Sequence, residues 1–125
     1  MAPLLLFQNS YVIITPLHFL NACVLDNNTS AFPYAHGKDT WKYAAENPGH
    51  NKFFDEAMAC ETRRTFPAVL NGCAELFTGV NSVVDVGGGD GTLLRILIKK
   101  CPWIHGINLN LSHMLSSAPE SIPVS

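Results

Sequence analysis

Four glycines stand within five positions of the chain, directly after a short apolar run that ends in an acid. The segment is Ser82–Thr92, and Asp85 lies two residues before Gly87. Glycines allow such a turn to adopt positive φ angles and let a ligand approach the backbone closely. The apolar-periodic residues that follow, 93–98, predict a helix whose first amide groups would face that ligand with the positive end of the helix dipole. The pattern therefore indicates ligand binding by backbone groups.

Spacing alone leaves three interpretations of this turn open. A dinucleotide-binding turn is expected to read Gly-x-Gly-x-x-Gly. Here the series is Asp85-x-Gly87-x-Gly89-x-Gly91, with an acid in front. This acid-led series resembles motif I of the class I S-adenosylmethionine (SAM) methyltransferases, which favours SAM over NAD as the ligand. The third interpretation is a plain structural turn between a strand and a helix.

The composition describes a folded protein and argues against several partners. The 125 residues are 47% hydrophobic and 14% charged, with a formal net charge of -2, so neither a disordered tail nor a nucleic-acid-binding surface is indicated. No stretch has the length of a membrane span, and the apolar start lacks the basic residues of a signal peptide. The four cysteines form no Cys-x-x-Cys pair. We therefore expect free thiols, no metal site and a cytoplasmic location.

The first half of the chain predicts mainly helices. Residues 1–9 suit a short helix or the end of a strand, and Pro16 is expected to stop an extended segment. The remaining elements predicted in this half are an extended segment at Tyr11–Ile14, a largely buried helix at 17–25, an irregular aromatic connection at 32–37, and a short helix at 41–46 capped by Thr40.

A long helical region is predicted to lead up to the glycine turn. Pro48 suits the first turn of a helix, with Asn47 as its N-cap. Pro67 is expected to kink or restart this helix, which then continues over 68–77 and ends near Gly79. The apolar residues that share one face of the helix, at spacings of three and four, are Phe53, Phe54, Ala57 and Met58.

The last part of the chain predicts one β-α-β unit. A buried strand at 82–86 precedes the turn, the helix ends near Lys100, and a second, parallel strand occupies 103–110. A parallel sheet needs several strands with both faces covered. Residues 111–125 are too few for another helix and strand, so we expect the chain to be a piece of a larger α/β domain.

Four motifs in order identify a family. Their spacing resembles that of plant small-molecule O-methyltransferases of the caffeic acid, isoflavonoid and benzylisoquinoline-alkaloid type. The resemblance implies the end of a helical, winged-helix dimerisation domain with its linker at 1–47. It implies the first part of a Rossmann-like SAM-binding domain at 48–125. The motifs are Thr15–His18, Phe53–Ala59, Val83–Gly89 and Gly106–His113.

The resemblance also implies an activity, a cofactor and partners. Members form homodimers and transfer a methyl group from SAM to a phenolic hydroxyl of a small molecule, without a metal ion. Glu61 falls where a pocket-facing residue varies among members. Apolar helix faces also serve as core, so a purely structural role for each residue stays open. The implied cofactor contacts are Asp85, Gly87, Gly89 and Thr62, and the implied substrate contacts are Phe54 and Met58.

Two departures from the family pattern bear on activity. Members carry an acid at the end of the second strand, to accept hydrogen bonds from both ribose hydroxyls, where this chain has Asn110. An amide offers one acceptor oxygen and a donor, so this cofactor contact should be weakened by about 1–3 kcal/mol, up to roughly a hundredfold in affinity. The general base of the family is a histidine farther downstream. None of the histidines here aligns with it: His18, His36, His50, His105 and His113.

These departures leave three hypotheses. The first is that the chain is a fragment of a SAM-dependent phenolic O-methyltransferase, with no catalytic residue of its own and little or no turnover alone. The second is a non-catalytic partner that pairs with full-length relatives through its helical half. The third, an NAD-binding module, is disfavoured by Asn110, because the NAD ribose requires an acid about 20 residues after the turn.

Overall fold

The computed structural model describes residues 2–26 and 30–110, so the predictions for His113 and for 111–125 lie outside the described residues. The chain divides into two compact units, Met1–Ala57 and Met58–Ser125. The assignment of 1–47 to a winged-helix dimerisation domain and of 48–125 to a SAM-binding domain stays a prediction. The elements are α1 Ala2–Gln8, α2 Tyr11–Leu17, α3 Leu20–Asp26, α4 Ala31–His36, α5 Thr40–Glu46, α6 Pro48–Gly72, a 3₁₀ turn at Ala74–Phe77, β1 Ser82–Val86, α7 Thr92–Lys100 and β2 His105–Leu109.

The predicted extended segment Tyr11–Ile14 is wrong, because these residues open helix α2, which also contains Pro16. A proline inside a helix has no N–H for the carbonyl four residues earlier, here that of Val12. The His36 Nε2 donates to that carbonyl oxygen at 2.9 Å. The side chain of a later helix thus satisfies the group that Pro16 leaves unpaired, and local sequence reasoning could not anticipate this contact.

His36→Ala should destabilise the first unit, because it leaves the half-buried Val12 carbonyl without its donor. An unsatisfied buried polar group costs about 1–3 kcal/mol, so the urea midpoint of unfolding followed by far-ultraviolet circular dichroism should fall. His18→Ala, at an exposed position just after α2, is the matched control and should leave the midpoint nearly unchanged. Equal effects of the two variants would contradict the proposed role of His36.

Three other predictions for the first unit need correction. The helix predicted at 17–25 is confirmed from Leu20 onward as α3, but α2 ends at Leu17, and the predicted burial is wrong because α3 has no buried residue. The apolar residues of α3 point in all directions, and among the described elements α4 contacts it, which can cover only one side. The connection at 32–37 is helix α4, ended by Gly37 in the left-handed conformation. Asp39, not Thr40, caps α5, because its Oδ1 accepts from the amides of Trp41 and Lys42 at 2.9 Å.

An aromatic cluster forms the core of the first unit. Phe7 is buried, and its ring makes edge-on contacts with Phe53 and Phe54 at centroid distances of 5.5 Å. The His50 ring lies 5.5 Å from Phe7 and 5.3 Å from Tyr43. Burial lowers the pKa of His50 below its ordinary value, which keeps the imidazole neutral at physiological pH. His50 is therefore part of the packing of this unit.

Helix α6 begins at Pro48, as predicted, and continues through Pro67 to Gly72. The predicted restart at Pro67 is therefore wrong. Residues around Arg63, whose carbonyl Pro67 cannot bond, are exposed, so water can satisfy that carbonyl. The predicted continuation over 68–77 is wrong in its second half, where the 3₁₀ turn stands. Asn47 donates its side-chain amide to the Tyr43 carbonyl of α5 at 2.8 Å.

The second unit contains the predicted parallel strands with α7 between them. The register pairs Ser82 with His105 and Asp85 with Asn108. Helix α7 packs on one face of this sheet: a Cβ built at the buried Gly106 would lie 3.0 Å from Ile98 Cδ1 of the helix. The buried core of the unit consists of Leu70, Leu94, Leu97, Cys101 and Ile104.

The other face of the sheet is open among the described residues, so the prediction of a fully buried first strand is wrong. Val84 and Val86 are 52% and 76% exposed, and Ile107 and Leu109 lie on the same face of β2. The reason is that side chains alternate along a strand and α7 covers one face. No helix in the described ranges is long and apolar enough to span a bilayer.

Candidate cofactor site at the glycine turn

The glycine turn lies at the carboxyl ends of the two parallel strands, where ligands bind in open α/β sheets. The Gly87 amide donates to the Leu109 carbonyl at 2.7 Å, which ties the start of the turn to the end of β2. The Gly91 amide donates to the Gly88 carbonyl at 2.9 Å and closes the turn. Gly87, Gly89 and Gly91 all have positive φ angles, between 54° and 79°. Side chains disfavour this conformation, so the turn presents bare backbone.

Glycine is required at position 88 for a different reason: a side chain there would collide with its neighbours. A Cβ built on it would lie 2.6 Å from Asp85 Cγ, and closer still to Asp85 Oδ2 and Asn108 Oδ1. The backbone of the turn therefore rests directly on the two side chains that β1 and β2 place beneath it. The alternating face of each strand explains their position, because Asn108 lies two residues beyond Gly106, on the α7 side.

Two asparagines hold the carbonyl of Gly89. The Nδ2 groups of Asn108 and Asn110 each donate to that oxygen at 3.2 Å. Asn110 was expected to contact the cofactor, and the structure places it beside the turn. Asn108 was missed by sequence reasoning. Its signal was an asparagine inside a predicted strand, where this residue type is depleted.

Asp90 and Arg95 fix the end of the turn to the start of α7, and sequence reasoning missed both. Arg95 Nη1 donates to the Asp90 carbonyl at 2.6 Å, and its Nη2 lies 3.2 Å from Asp90 Oδ2. Asp90 Oδ1 accepts from the Thr92 amide at 2.9 Å. These contacts join Asp90 to Thr92 and Arg95, so the end of the turn is fixed relative to the first residues of α7.

Asp85, the acid of the predicted motif, lies beneath the turn. Its Oδ2 is buried and has no hydrogen-bond partner within the described part of the chain, and the same holds for Asn108 Oδ1. Burial raises the pKa of the Asp85 carboxyl above its ordinary value. This acid can therefore support the turn from below, and its predicted contact with a cofactor stays a prediction.

The other predicted site residues lie on α6. Phe54 belongs to the first unit, where its ring contacts Phe7 and, at 6.4 Å, Trp41. Met58 and Thr62 belong to the second unit, with Met58 38% exposed and Thr62 half-buried. The structure thus brings Asp85, Gly87, Gly89 and Asn110 together at the turn. The roles of Phe54, Met58 and Thr62 stay predictions.

The groups at the glycine turn are suited to binding a ligand. The glycines keep the turn free of side chains, and the amide side chains of Asn108 and Asn110 donate to its Gly89 carbonyl. His105 lies at the first residue of β2, at the opposite end of the strand from the turn. In the described ranges, 2–26 and 30–110, no group of three or more histidine, cysteine or acidic side chains is arranged to hold a metal ion.

The sequence of this chain is similar to those of known proteins. Residues 17–125 match a family described as the O-methyltransferase domain. The chain is 39% identical over 122 residues to an acetylserotonin O-methyltransferase of Arabidopsis thaliana, with 94% of this chain and 32% of that protein covered. It is 39% identical over 108 residues to a (RS)-norcoclaurine 6-O-methyltransferase of Thalictrum flavum subsp. glaucum, with 85% and 31% covered. The chain thus spans about a third of the length of these curated relatives.

Solved structures share the fold. An O-methyltransferase from neocarzinostatin biosynthesis, NcsB1, in complex with S-adenosyl-L-homocysteine and 1,4-dihydroxy-2-naphthoic acid, aligns with a TM-score of 0.69 at 23% identity, covering 84% of this chain and 32% of that one. CalO1, a methyltransferase in calicheamicin biosynthesis in its S-adenosyl-L-homocysteine-bound form, aligns with a TM-score of 0.67 at 20% identity, covering 97% and 35%.

Proposed function

The chain belongs to the O-methyltransferase domain family, and from that premise we propose that it forms the cofactor cradle of a SAM-dependent O-methyltransferase acting on small phenols. The observation that carries the proposal is the glycine turn at the ends of β1 and β2. Its positive-φ glycines and the space requirement at Gly88 describe a backbone surface kept free of side chains. Two related folds hold S-adenosyl-L-homocysteine, the product of methyl transfer, which supports the choice of ligand.

The residues of the turn would bind and orient the cofactor. The amides of Gly88 and Gly89, which lie between the bonded amides of Gly87 and Gly91, would offer hydrogen-bond donors, and Asn110 would meet a ribose hydroxyl with its side-chain amide. When bound, SAM supplies a methyl group already activated on a sulfonium. The chain's contribution to rate is then the fixed position of that group relative to an acceptor, which is a proximity effect.

The acceptor is proposed to be a phenolic hydroxyl. The names of the two relatives describe O-methylation, and NcsB1 was crystallised with a dihydroxynaphthoic acid. Met58 is the residue of α6 that we propose to line the substrate pocket, with Phe54 as a second wall and Thr62 near the methionine end of SAM. A partly exposed thioether suits contact with an aromatic ring. Assignment of the chain to the cytoplasm, with no disulfide among the four cysteines of the described residues, belongs to the same proposal.

Calorimetric titration tests which ligand the chain binds. The chain should bind S-adenosylhomocysteine and SAM and should show no heat of binding with NAD under the same conditions. A radiolabelled methyl-transfer assay on catechol-type phenols measures turnover, which we expect to be weak for this chain because no residue of it aligns with the base of the family. Binding of NAD in preference to both SAM and S-adenosylhomocysteine would overturn the proposal.

Asn110→Asp should strengthen cofactor binding. A carboxylate can accept hydrogen bonds from both ribose hydroxyls, and its charge strengthens each bond. Asn108 still donates to the Gly89 carbonyl, so the turn keeps one of its two supports. We expect a tenfold to hundredfold lower dissociation constant, roughly 1–3 kcal/mol, measured by calorimetry with S-adenosylhomocysteine. Weaker binding by Asn110→Asp than by the parent chain would contradict the placement of the ribose beside this residue.

A second candidate function is assembly with full-length relatives or with another copy of the chain. The observation in its favour is the apolar surface of α3, where Val24 and Leu25 are 74% and 82% exposed. We propose that this surface belongs to the end of a helical dimerisation domain. Co-expression with a full-length relative followed by size-exclusion chromatography tests it: co-elution supports the candidate, and separate elution of the two proteins rules it out.

A further inference from the structure

Two buried oxygen atoms beneath Gly88 lack any donor. Asp85 Oδ2 and Asn108 Oδ1 both lie within 2.6 Å of the position that a Gly88 Cβ would take. Among residues 2–26 and 30–110, neither has a hydrogen-bond partner, and both are inaccessible to solvent. The amide nitrogen of Asn108 is committed to the Gly89 carbonyl, so its oxygen is the atom left on the Asp85 side. Buried acceptors without a donor are costly, and a proton shared by these two oxygens would satisfy both.

We propose that Asp85 is a neutral carboxylic acid whose Oδ2–H donates to Asn108 Oδ1, and that this pair positions the glycine turn for its ligand. One proton satisfies both buried oxygens, and no bond is broken. The hydrogen bond fixes the orientation of the Asn108 amide, whose nitrogen then holds the Gly89 carbonyl. Asp85 and Asn108 are thus positioning residues beneath the turn. The inference concerns a SAM site and so rests on the proposed function.

The surrounding charges favour the neutral acid. Burial raises the pKa of Asp85, and no neighbouring charge is a cause of that shift. Arg95 on α7, the cation nearest the turn in sequence, is occupied by Asp90 of the turn itself. The other basic groups of α7 and β2 are Lys99, Lys100 and His105, and they are exposed at the far ends of these elements. No cation of these elements is therefore placed to stabilise an ionised Asp85.

The pair predicts a pH dependence with a definite sign. The pKa of Asp85 in the folded chain lies above its ordinary value of 3.8. The carboxyl therefore ionises at a higher pH than an ordinary aspartate does. Above the raised pKa the carboxylate can no longer donate to Asn108, and the Gly89 carbonyl loses one of its two fixed supports while Asn110 keeps the other. Affinity for S-adenosylhomocysteine should then fall by roughly tenfold across this window, the effect of losing one hydrogen bond. Below that window the affinity should be constant.

The experiment measures ionisation and binding separately in the 125-residue chain. The ¹³Cγ resonance of Asp85, labelled in aspartate, is followed against pH together with the amide resonance of Gly89. We expect one shared transition, above 3.8, in both signals. Asp85→Asn supplies a permanent amide donor to Asn108 and should abolish the Gly89 transition. Asp26→Asn, on exposed α3, is the matched control and should leave that transition in place.

Three outcomes decide whether Asp85 and Asn108 share a proton. An Asp85 carboxyl that ionises at or below the ordinary value contradicts the proposal, and so does a Gly89 signal indifferent to Asp85 ionisation. A shared transition that Asp85→Asn removes supports it. These spectra require no ligand. A chain that shows the transition but binds no S-adenosylhomocysteine would therefore refute the proposed function and still support the shared proton of Asp85 and Asn108.

Discussion

Gly88→Ala should abolish cofactor binding by the glycine turn. The added Cβ would lie 2.6 Å from Asp85 Cγ and nearer still to two buried oxygens, distances that real Cβ atoms do not tolerate. Because Asp85 and Asn108 are anchored on neighbouring strands, the turn itself must move. Overpacking of this kind costs about 1–3 kcal/mol in stability. The larger effect falls on the amides that face the ligand, and we expect the affinity for S-adenosylhomocysteine to fall by more than about a hundredfold in calorimetry.

Gly49→Ala is the matched control for this substitution. Gly49 lies in the first turn of α6, and a Cβ built there meets no atom within 4 Å. Alanine at a helical position should be neutral or stabilising by up to about 1 kcal/mol, with no effect on binding. If Gly88→Ala bound S-adenosylhomocysteine as tightly as Gly49→Ala, the turn would not be supported by the two side chains beneath it.

Leu94→Ala should produce the largest loss of stability in the second unit. Leu94 is completely buried between α7 and the sheet, where its methyl groups would lie 3.1 and 3.5 Å from a Cβ at Gly106. Truncation removes apolar contacts and leaves a cavity, at a cost of about 2–5 kcal/mol. Because α7 carries Arg95, whose contacts fix Asp90, loosening the helix should also weaken binding at the turn. Urea denaturation followed by circular dichroism measures the first effect.

The comparison variant is Leu76→Ala, in the 3₁₀ turn. Its side chain is 67% exposed, so truncation should cost about a few tenths of a kcal/mol. In a Trp41→Phe background, tryptophan fluorescence comes from Trp103, which lies between α7 and β2, and therefore reports the second unit. Similar midpoints for the two leucine variants would mean that the α7 packing contributes little to the stability of this unit.

The second unit could be predicted from sequence because its signals are local and agree with one another. A β-branched run, a cluster of glycines and an apolar-periodic helix each specify one element, and short connections leave little choice of topology. The structure confirms β1 at Ser82–Val86, and α7 ends at Lys100 as predicted. What sequence could not provide was Asn108, since its role depends on the register that pairs it with Asp85.

The first unit was predicted less well because tertiary contacts override local preference there. The β-branched run at 11–14 favours a strand, yet His36 supplies the bond that makes a helix with Pro16 acceptable. Asp39 prevailed over Thr40 as a cap because its carboxylate reaches two amides at once. Neither contact can be inferred from the spacing of apolar residues.

Nuclear magnetic resonance of the ¹⁵N-labelled chain tests the central claim most directly. On addition of S-adenosylhomocysteine, the amide signals of Gly87, Gly89 and Gly91 should shift together and saturate, while that of Gly49, at the start of α6, should stay in place. NAD at the same concentration should leave all four signals unchanged. Saturable shifts of the three turn glycines with NAD, and none with S-adenosylhomocysteine, would contradict the assignment of this turn as a SAM site.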